Sequence, residues 1–351
     1  MSKEIHGHRK DEHLSLGLKY WREGRNRSEF SAALRIVPNG LPEISTQEVD
    51  LSVTLLEHKF EFPFYIEAMT GGSKKGDKVN LELAEIAAHH HIAMAVGSQS
   101  IALKYPELAE GFRHVRQHNP KGFIFANMGA GHSLENAQKA VEMLSADALE
   151  IHINTGQELV MKDSEGDRSF YWLENINRIA ENLDVPVVVK EVGFGMSQKM
   201  FKQLSQTAIS GINVGGKGGT NFAWIESGRG HSTLNLNDFG FTGPESLIEA
   251  QLAQNTKPLI ATGGIASATD ILHAQLLGAP LASSAGHVLS VLHTQGPEAL
   301  DEMFSHWKDD LTKLYTLVGA REYGDLTGVE FIYDRDLKYF REERKDKQII
   351  L

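Results

Sequence analysis

His152 and Asn154 lie two apart on one apolar run, so they share a face, with Glu150 below them on the same face. Gln157 and Glu158 follow at once. An imidazole, two amides and two carboxylates within nine positions can bind an anion, hold a proton or place a metal. Neither a His-x-Glu nor a two-His metal spacing occurs here. Glu158 could still hold Mg²⁺ as a single carboxylate, with phosphate oxygens and waters completing the octahedron. A lone loop glutamate is otherwise a solvated charge.

Lys190 ends the run Val187-Val188-Val189. An ammonium at the end of an apolar run is costly to bury unless an anion pairs with it. Three chemistries fit. It could form a Schiff base, stand beside the N1/O2 edge of a flavin, or snorkel to the surface. Asn127, at the end of another run, offers both a donor and an acceptor, which suits a mixed hydrogen-bonding edge. Gly263-Gly264, Ala285-Gly286 and Gly218-Gly219-Thr220 end three further runs. Small residues there let backbone N–H groups approach phosphate, and the following helix N-terminus adds a favourable dipole. Glycines that merely form tight turns are the plainer reading. Arg9-Lys10-Asp11-Glu12-His13 is a charge cluster that, taken alone, reads as a solvated tail. The remaining histidines, the His89-His90-His91 run among them, read as structural or solvated.

These residues must be positioned by something, and the pattern of apolar runs supplies it. Phe62–Met69, Ile92–Ser98, Gly122–Met128, Ala148–Asn154, Val185–Val192, Gly211–Gly216, Pro258–Gly264 and Pro280–Gly286 are each strand length and bounded by turn residues. The stretches between them read as helices. Eight such alternations predict an α/β fold, a single (β/α)8 TIM barrel with an N-terminal extension and a C-terminal helical tail. Its strand tips would then meet at one mouth. The division expected is extension and barrel-bottom strand over 1–60, barrel over 61–320 and tail over 321–351, forming one structural unit. Within it, Leu51–Phe60 reads as a strand under the barrel and 34–44 as irregular. Ile225–Thr242 reads as a lid or mobile loop, and Met303–Val318 as a closing helix.

The chain has 351 residues, enough for one barrel of roughly 250 residues with additions at each end. It has 0 cysteines, which excludes disulfides, thiolate metal sites and thiol catalysis, and is compatible with a reducing cytoplasm. Its net charge of −11 argues against nucleic acid as a partner. An anionic ligand must therefore be held by local cations, backbone N–H groups or a metal. There is no apolar run near membrane length and no secretory signal at the start.

Together the motifs resemble the type 2 isopentenyl diphosphate isomerase family. The resemblance rests on Arg9-Lys10-Asp11-Glu12-His13, Met69-Thr70-Gly71-Gly72, Gly97-Ser98-Gln99, Asn127, His152-Ile153-Asn154 with Gln157-Glu158, Val189-Lys190-Glu191, Gly218-Gly219-Thr220, Gly263-Gly264 and Ala285-Gly286. It implies an FMN-dependent enzyme that interconverts isopentenyl and dimethylallyl diphosphate. It further implies Mg²⁺, NADPH or NADH as reductant, and a homotetramer or larger homo-oligomer. Carried over by motif, Ala68, Met69, Thr70, Ser98, Asn127, Lys190, Thr220, Gly263, Gly264, Ala285 and Gly286 are expected to contact FMN. Arg9, Lys10, Ser98, Gln99, Ser100, His152, Asn154 and Gln157 are expected to contact substrate, with His152 and Gln157 as catalytic candidates and Glu158 as the Mg²⁺ ligand. Two positions depart from the pattern: Ser100, where some members carry Arg, and Glu67, an acid where a smaller or neutral residue is expected. The alternatives are an FMN-dependent 2-hydroxy-acid oxidase or dehydrogenase, and a non-catalytic flavin-binding barrel. The first would need a strand-end His–Arg pair, whereas this chain has only Arg229 and His231 in a loop. The second has no reason to keep Gln157-Glu158 or Arg9-Lys10.

Overall fold

In a computed structural model of the chain, residues 3–24, 29–161, 168–229 and 234–345 are described. The eight apolar runs all form strands, shorter than the runs themselves. They are β1 Phe64–Ile66, β2 Ala93–Ala95, β3 Ile124–Gly129, β4 Ala148–Ile153, β5 Val187–Glu191, β6 Gly211–Asn213, β7 Leu259–Ala261 and β8 Leu281–Ser284. Each pairs in parallel with the next, and β8 closes on β1 through Ala282↔Phe64, Ser283↔Tyr65 and Ser284↔Ile66. Strands covered on both faces need apolar residues at every position, which is why continuous runs such as Val187-Val188-Val189 mark them.

Two apolar layers hold the barrel. Outward-facing residues such as Phe64, Ile66, Ile151 and Val189 pack under the helices. Inward-facing Tyr65, Phe125, Val188, Ile260 and Leu281 form an inner core, closed from below by Val53, Leu55, Leu56 and Phe60. The last four belong to a hairpin, Val53–Leu55 with His58–Phe60, and not to the single strand expected over Leu51–Phe60. Its turn holds Leu56 and Glu57 at φ 51° and 60°. Such turns usually carry Gly or Asn, so no turn signal marks this one in the sequence. A second departure is Leu34–Ile36, expected to be irregular. It pairs antiparallel with Phe331–Tyr333 and so ties the extension to the C-terminal segment. That segment continues as a helix, Arg335–Lys345, anchored by Arg344 to the buried Glu249 at 2.7 Å.

The helices start on side-chain caps placed where the strand tips turn over. Ser73, Ser133, Asn154, Asn221, Thr242 and Ser267 each accept a hydrogen bond from an amide of the first helical turn. The helix after β8, Gly286–Gln295, begins at Ala285 with no side-chain cap, so its first amides face the mouth. The closing helix runs from Pro297 to Val318, starting more than a turn before the expected Met303. No helix among the described residues is long and apolar enough to cross a membrane.

The largest departure is at the start of the chain. The charge cluster is part of a 20-residue helix, Lys3–Arg22, and this helix lies across the mouth.

Candidate active site

The strand tips and the N-terminal helix enclose a cavity of about 670 Å³. Its floor is polar. Lys190 reaches up from β5, only 5% exposed, with Nζ 2.7 Å from Glu67 Oε1 and 3.3 Å from Glu150 Oε2. This disposes of the snorkelling reading. Burial pushes the ammonium down, but the two carboxylates outweigh it and hold it above the usual lysine range. Glu67 also accepts from Ala68 N at 2.7 Å, Asn213 Nδ2 at 2.7 Å and Ser283 Oγ at 2.8 Å. The acid that was unexplained in the sequence is the anchor of Lys190.

One wall comes from β3 and β4. His152 Nδ1 meets Asn127 Oδ1 at 2.8 Å, which assigns the proton to Nδ1 and leaves Nε2 as an acceptor beside Gly129. Burial, then Lys190, Lys10 and His132, push this imidazole down to about 3, so it is neutral throughout the working range. Asn127 is doubly engaged, since its Nδ2 also reaches Glu150 Oε2 at 3.4 Å. Asn154 caps the short helix Thr155–Val160, accepting from Gln157 N at 2.8 Å and donating to Val192 O at 2.8 Å. That cap sets the direction of Gln157, whose Nε2 donates to Glu226 Oε1 at 3.2 Å.

Glu226 also clasps the N-terminal helix. It is 0% exposed and meets His13 Nε2 at 2.8 Å and Arg229 Nη1 at 2.7 Å. Arg229 Nε in turn lies 3.3 Å from Glu12 Oε2, and Ser73 Oγ donates to Asp11 Oδ1 at 2.8 Å. Asp11, Glu12 and His13 therefore dock the helix while Lys10, Leu14, Gly17 and Trp21 line the cavity. The solvated-tail reading of this cluster is overturned for the described side chains. That of Arg9 lies outside them, as does His231.

The opposite end of the cavity is built from backbone. Gly263 and Gly264 stand at φ 94° and 101°. A Cβ on Gly263 would come within 2.1 Å of Gly216 O, and one on Gly286 within 1.9 Å of Trp21 Nε1. Nothing but glycine fits either position without displacement. Trp21 Nε1 donates to Thr220 Oγ1 at 3.3 Å. Thr70 Oγ1 is buried without a protein partner. An uncapped helix start and two glycines that admit no side chain make a cradle suited to a phosphate-bearing cofactor.

Of the expected residues, Lys10, Ala68, Met69, Thr70, Ser98, Ser100, Asn127, His152, Asn154, Gln157, Glu158, Lys190, Thr220, Gly263, Gly264, Ala285 and Gly286 all line this cavity. Gln99 does not. It is 0% exposed, donates to Ala140 O at 2.8 Å and accepts from Asn127 N at 3.0 Å, so it braces the strand tips behind the cavity wall. Ser98 and Ser100 bond each other at 2.9 Å, and Ser100 continues to His132 Nε2 at 2.7 Å. Sequence reasoning missed His132, Glu226 and Trp21. Only the three-residue spacing of Glu226 and Arg229 hinted at one of them.

The fold and cradle define a flavin-dependent barrel, and residues 113–331 match the family of FMN-dependent dehydrogenases. The fold is similar to that of a mutant flavocytochrome b2 with benzoylformate, with TM-score 0.66 and 17% identity over 90% of this chain and 79% of that one. It is also similar to a mandelate oxidase, with TM-score 0.61 and 14% identity over 88% and 90%. At those identities the likeness concerns the fold alone. The isopentenyl-diphosphate delta-isomerase of Lactococcus lactis is 58% identical over 346 residues, 98% of this chain and 99% of that protein. That of Limosilactobacillus reuteri is 44% identical over 348 residues, 98% and 99% of the two chains. The chain belongs to the isopentenyl-diphosphate delta-isomerase family.

Proposed function

We propose that this chain interconverts isopentenyl and dimethylallyl diphosphate, using reduced FMN, Mg²⁺ and NADPH or NADH as the source of reduction. The observation that carries the proposal is the convergence of two differently equipped ends on one cavity. Gly263, Gly264, Ala285 and Gly286 form a phosphate cradle at one end, and Lys10, His152 and Gln157 face the other. The chain has 0 cysteines, so a cysteine cannot carry the proton exchange. Moving the double bond adds one proton and removes another with no net redox. When bound and reduced, FMN supplies the chemistry for that exchange.

The chain's own residues bind, orient and exclude water. The cradle and Thr220 would hold the FMN phosphate, and Lys190 would stand beside the ring's N1/O2 edge, with Ala68, Met69, Thr70 and Ser98 also holding the ring. Lys10 and Arg9 would meet the diphosphate, each charge-assisted bond contributing roughly 1.5–3 kcal/mol. Glu158 would hold Mg²⁺ beside it. His152 enters neutral, so its Nε2 can accept a proton drawn toward the diphosphate, whose charge reverses the Coulombic pressure from Lys190 and Lys10. Gln157 is aimed by Asn154 and Glu226 at the same space. Leu14, Ile101 and Trp172 supply apolar surface for the prenyl tail. We also propose a cytoplasmic homotetramer or larger assembly, which light scattering would size.

The 2-hydroxy-acid oxidase reading gains nothing from Arg229, because Glu226 and Glu12 already hold that guanidinium. Assaying the reduced holoprotein with prenyl diphosphate, and the oxidised holoprotein with lactate and mandelate, tests the proposal. Turnover of the first alone is expected. Flavin reduction by a 2-hydroxy acid would overturn it.

A further inference from the structure

Beneath the mouth, on the barrel axis, two carboxylates face one ammonium. Glu67 is 3% exposed, Glu150 0%, Lys190 5%, and Tyr65, Asn213 and Ser283 around them 0%. Glu67 receives five donors: Lys190 Nζ, Ala68 N, Tyr65 OH at 3.1 Å, Asn213 Nδ2 and Ser283 Oγ. Five donors stabilise an ionised carboxylate. Glu150 receives less. Tyr65 OH lies 2.6 Å from it but has one proton to share between the two carboxylates, Asn127 Nδ2 lies at 3.4 Å and Lys190 Nζ at 3.3 Å. With a single cation between them in a desolvated space, both cannot be ionised at low cost.

We propose that Glu67 and Glu150 form a one-proton carboxylate pair under the flavin, and that where rising pH has stripped that proton, reduction of the flavin draws it back. The inference rests on the FMN reading above. At neutral pH the set is Glu67⁻, Lys190⁺ and neutral Glu150, with no net charge. Burial, then the charge of Glu67, push Glu150 up to about 8, while Lys190 opposes them. Burial also pushes Glu67 up, but Lys190 and the other donors outweigh it and hold it below the usual range. The groups facing Glu150 are Tyr65 and Glu67 on β1, Asn127 on β3, Lys190 on β5, Asn213 on β6 and Ser283 on β8, with His152 two residues along β4. Of these, Tyr65 stays protonated, its phenol pushed far up by burial and both carboxylates, and His152 stays neutral. Glu150 is thus the group that titrates. Above its break it carries an extra negative charge below the flavin. Two-electron reduction to the anionic ring would add two electrons and one proton there, delivered together as a hydride or, with dithionite, as electrons plus a proton from solvent. Near the break it draws a second from solvent onto the Glu150 carboxylate, because the new anion raises that group's proton affinity.

The test is a reductive titration of the FMN-loaded protein from about pH 6.5 to about pH 9.5. For the wild type, the midpoint potential should steepen near the Glu150 break, from one proton per two electrons toward two. Glu150→Gln should keep the shallow slope throughout. Glu67→Gln should also lose the bend, since Glu150 alone with Lys190 stays ionised. A bend that survives in Glu150→Gln, or a wild type that binds FMN and shows none, overturns the proposal. Failure of the wild type to bind FMN would instead sink the cofactor reading. If the variants fold poorly, infrared spectra of the wild type decide the matter. A protonated-carboxyl band should be present at about pH 7 and lost by about pH 9.5, and its absence at neutral pH refutes the pair.

Discussion

Replacing Lys190 by methionine keeps most of the side chain's volume and removes its charge. In the wild type, Nζ lies 2.7 Å from Glu67 and 3.3 Å from Glu150 in a space from which water is excluded. Removing one partner of a buried pair leaves an uncompensated charge and costs about 3–5 kcal/mol. Lys190→Met should therefore destabilise the apoprotein by about that amount at neutral pH. The pH dependence has a definite sign. In the wild type, Glu67 is held below its usual range, so its stabilisation is present above the unfolded value and lost as pH falls through the folded one. In the variant the desolvated Glu67 has lost its cation and rises above the unfolded value. The penalty then grows as pH climbs past the unfolded value and shrinks in mild acid. Urea unfolding of both apoproteins at about pH 5 and about pH 7.5 measures this, and Lys190→Met/Glu67→Gln should recover much of the loss. FMN affinity should fall as well. A cost below about 1 kcal/mol, equal at both pH values, would refute a charged, water-free floor.

Gly263→Ala places a Cβ 2.1 Å from Gly216 O at φ 94°, so it should abolish tight FMN binding and cost at least roughly 1–3 kcal/mol, read by flavin content and thermal unfolding. Glu158→Gln should raise the Mg²⁺ needed for half-maximal turnover while leaving the protein yellow; an unchanged Mg²⁺ curve removes Glu158 from the metal site. Deleting residues 1–13 removes Lys10 and the clasp of Asp11, Glu12 and His13 but none of the glycine cradle. The truncated protein should keep its flavin and lose at least ~3 kcal/mol of substrate binding in kcat/KM, whereas near-normal turnover at low substrate would show the helix plays no part.

The barrel was legible because each of its strands is covered on both faces and must be apolar throughout, and because glycines are needed where backbone approaches backbone or phosphate. What was not legible depends on contacts between distant residues. Arg229 and Glu12 are 217 positions apart, and Lys190 and Glu67 are 123 apart. Neither spacing marks a partner in the sequence. Of the N-terminal helix only the weakly amphipathic stretch Leu14–Trp21 is legible, where Leu18 and Tyr20 are buried; the first half docks through Asp11, Glu12 and His13, whose charges read as a solvated face. Gln99 sat inside a motif that otherwise faces the cavity, yet the start of a short helix at Ser100 turns its amide back onto Ala140 and Asn127. The hairpin under the barrel was missed because Leu56 and Glu57 take a left-handed turn that other residues usually fill.

The central claim is double-bond migration that needs reduced flavin and consumes none of it. FMN-loaded protein would be incubated without oxygen in deuterated buffer with isopentenyl diphosphate and Mg²⁺, first oxidised and then reduced, and followed by NMR and by flavin absorbance. The account predicts dimethylallyl diphosphate carrying solvent deuterium only after reduction, with the flavin still reduced after many turnovers. Equal conversion by the oxidised protein, or one flavin reoxidised per product formed, would contradict it.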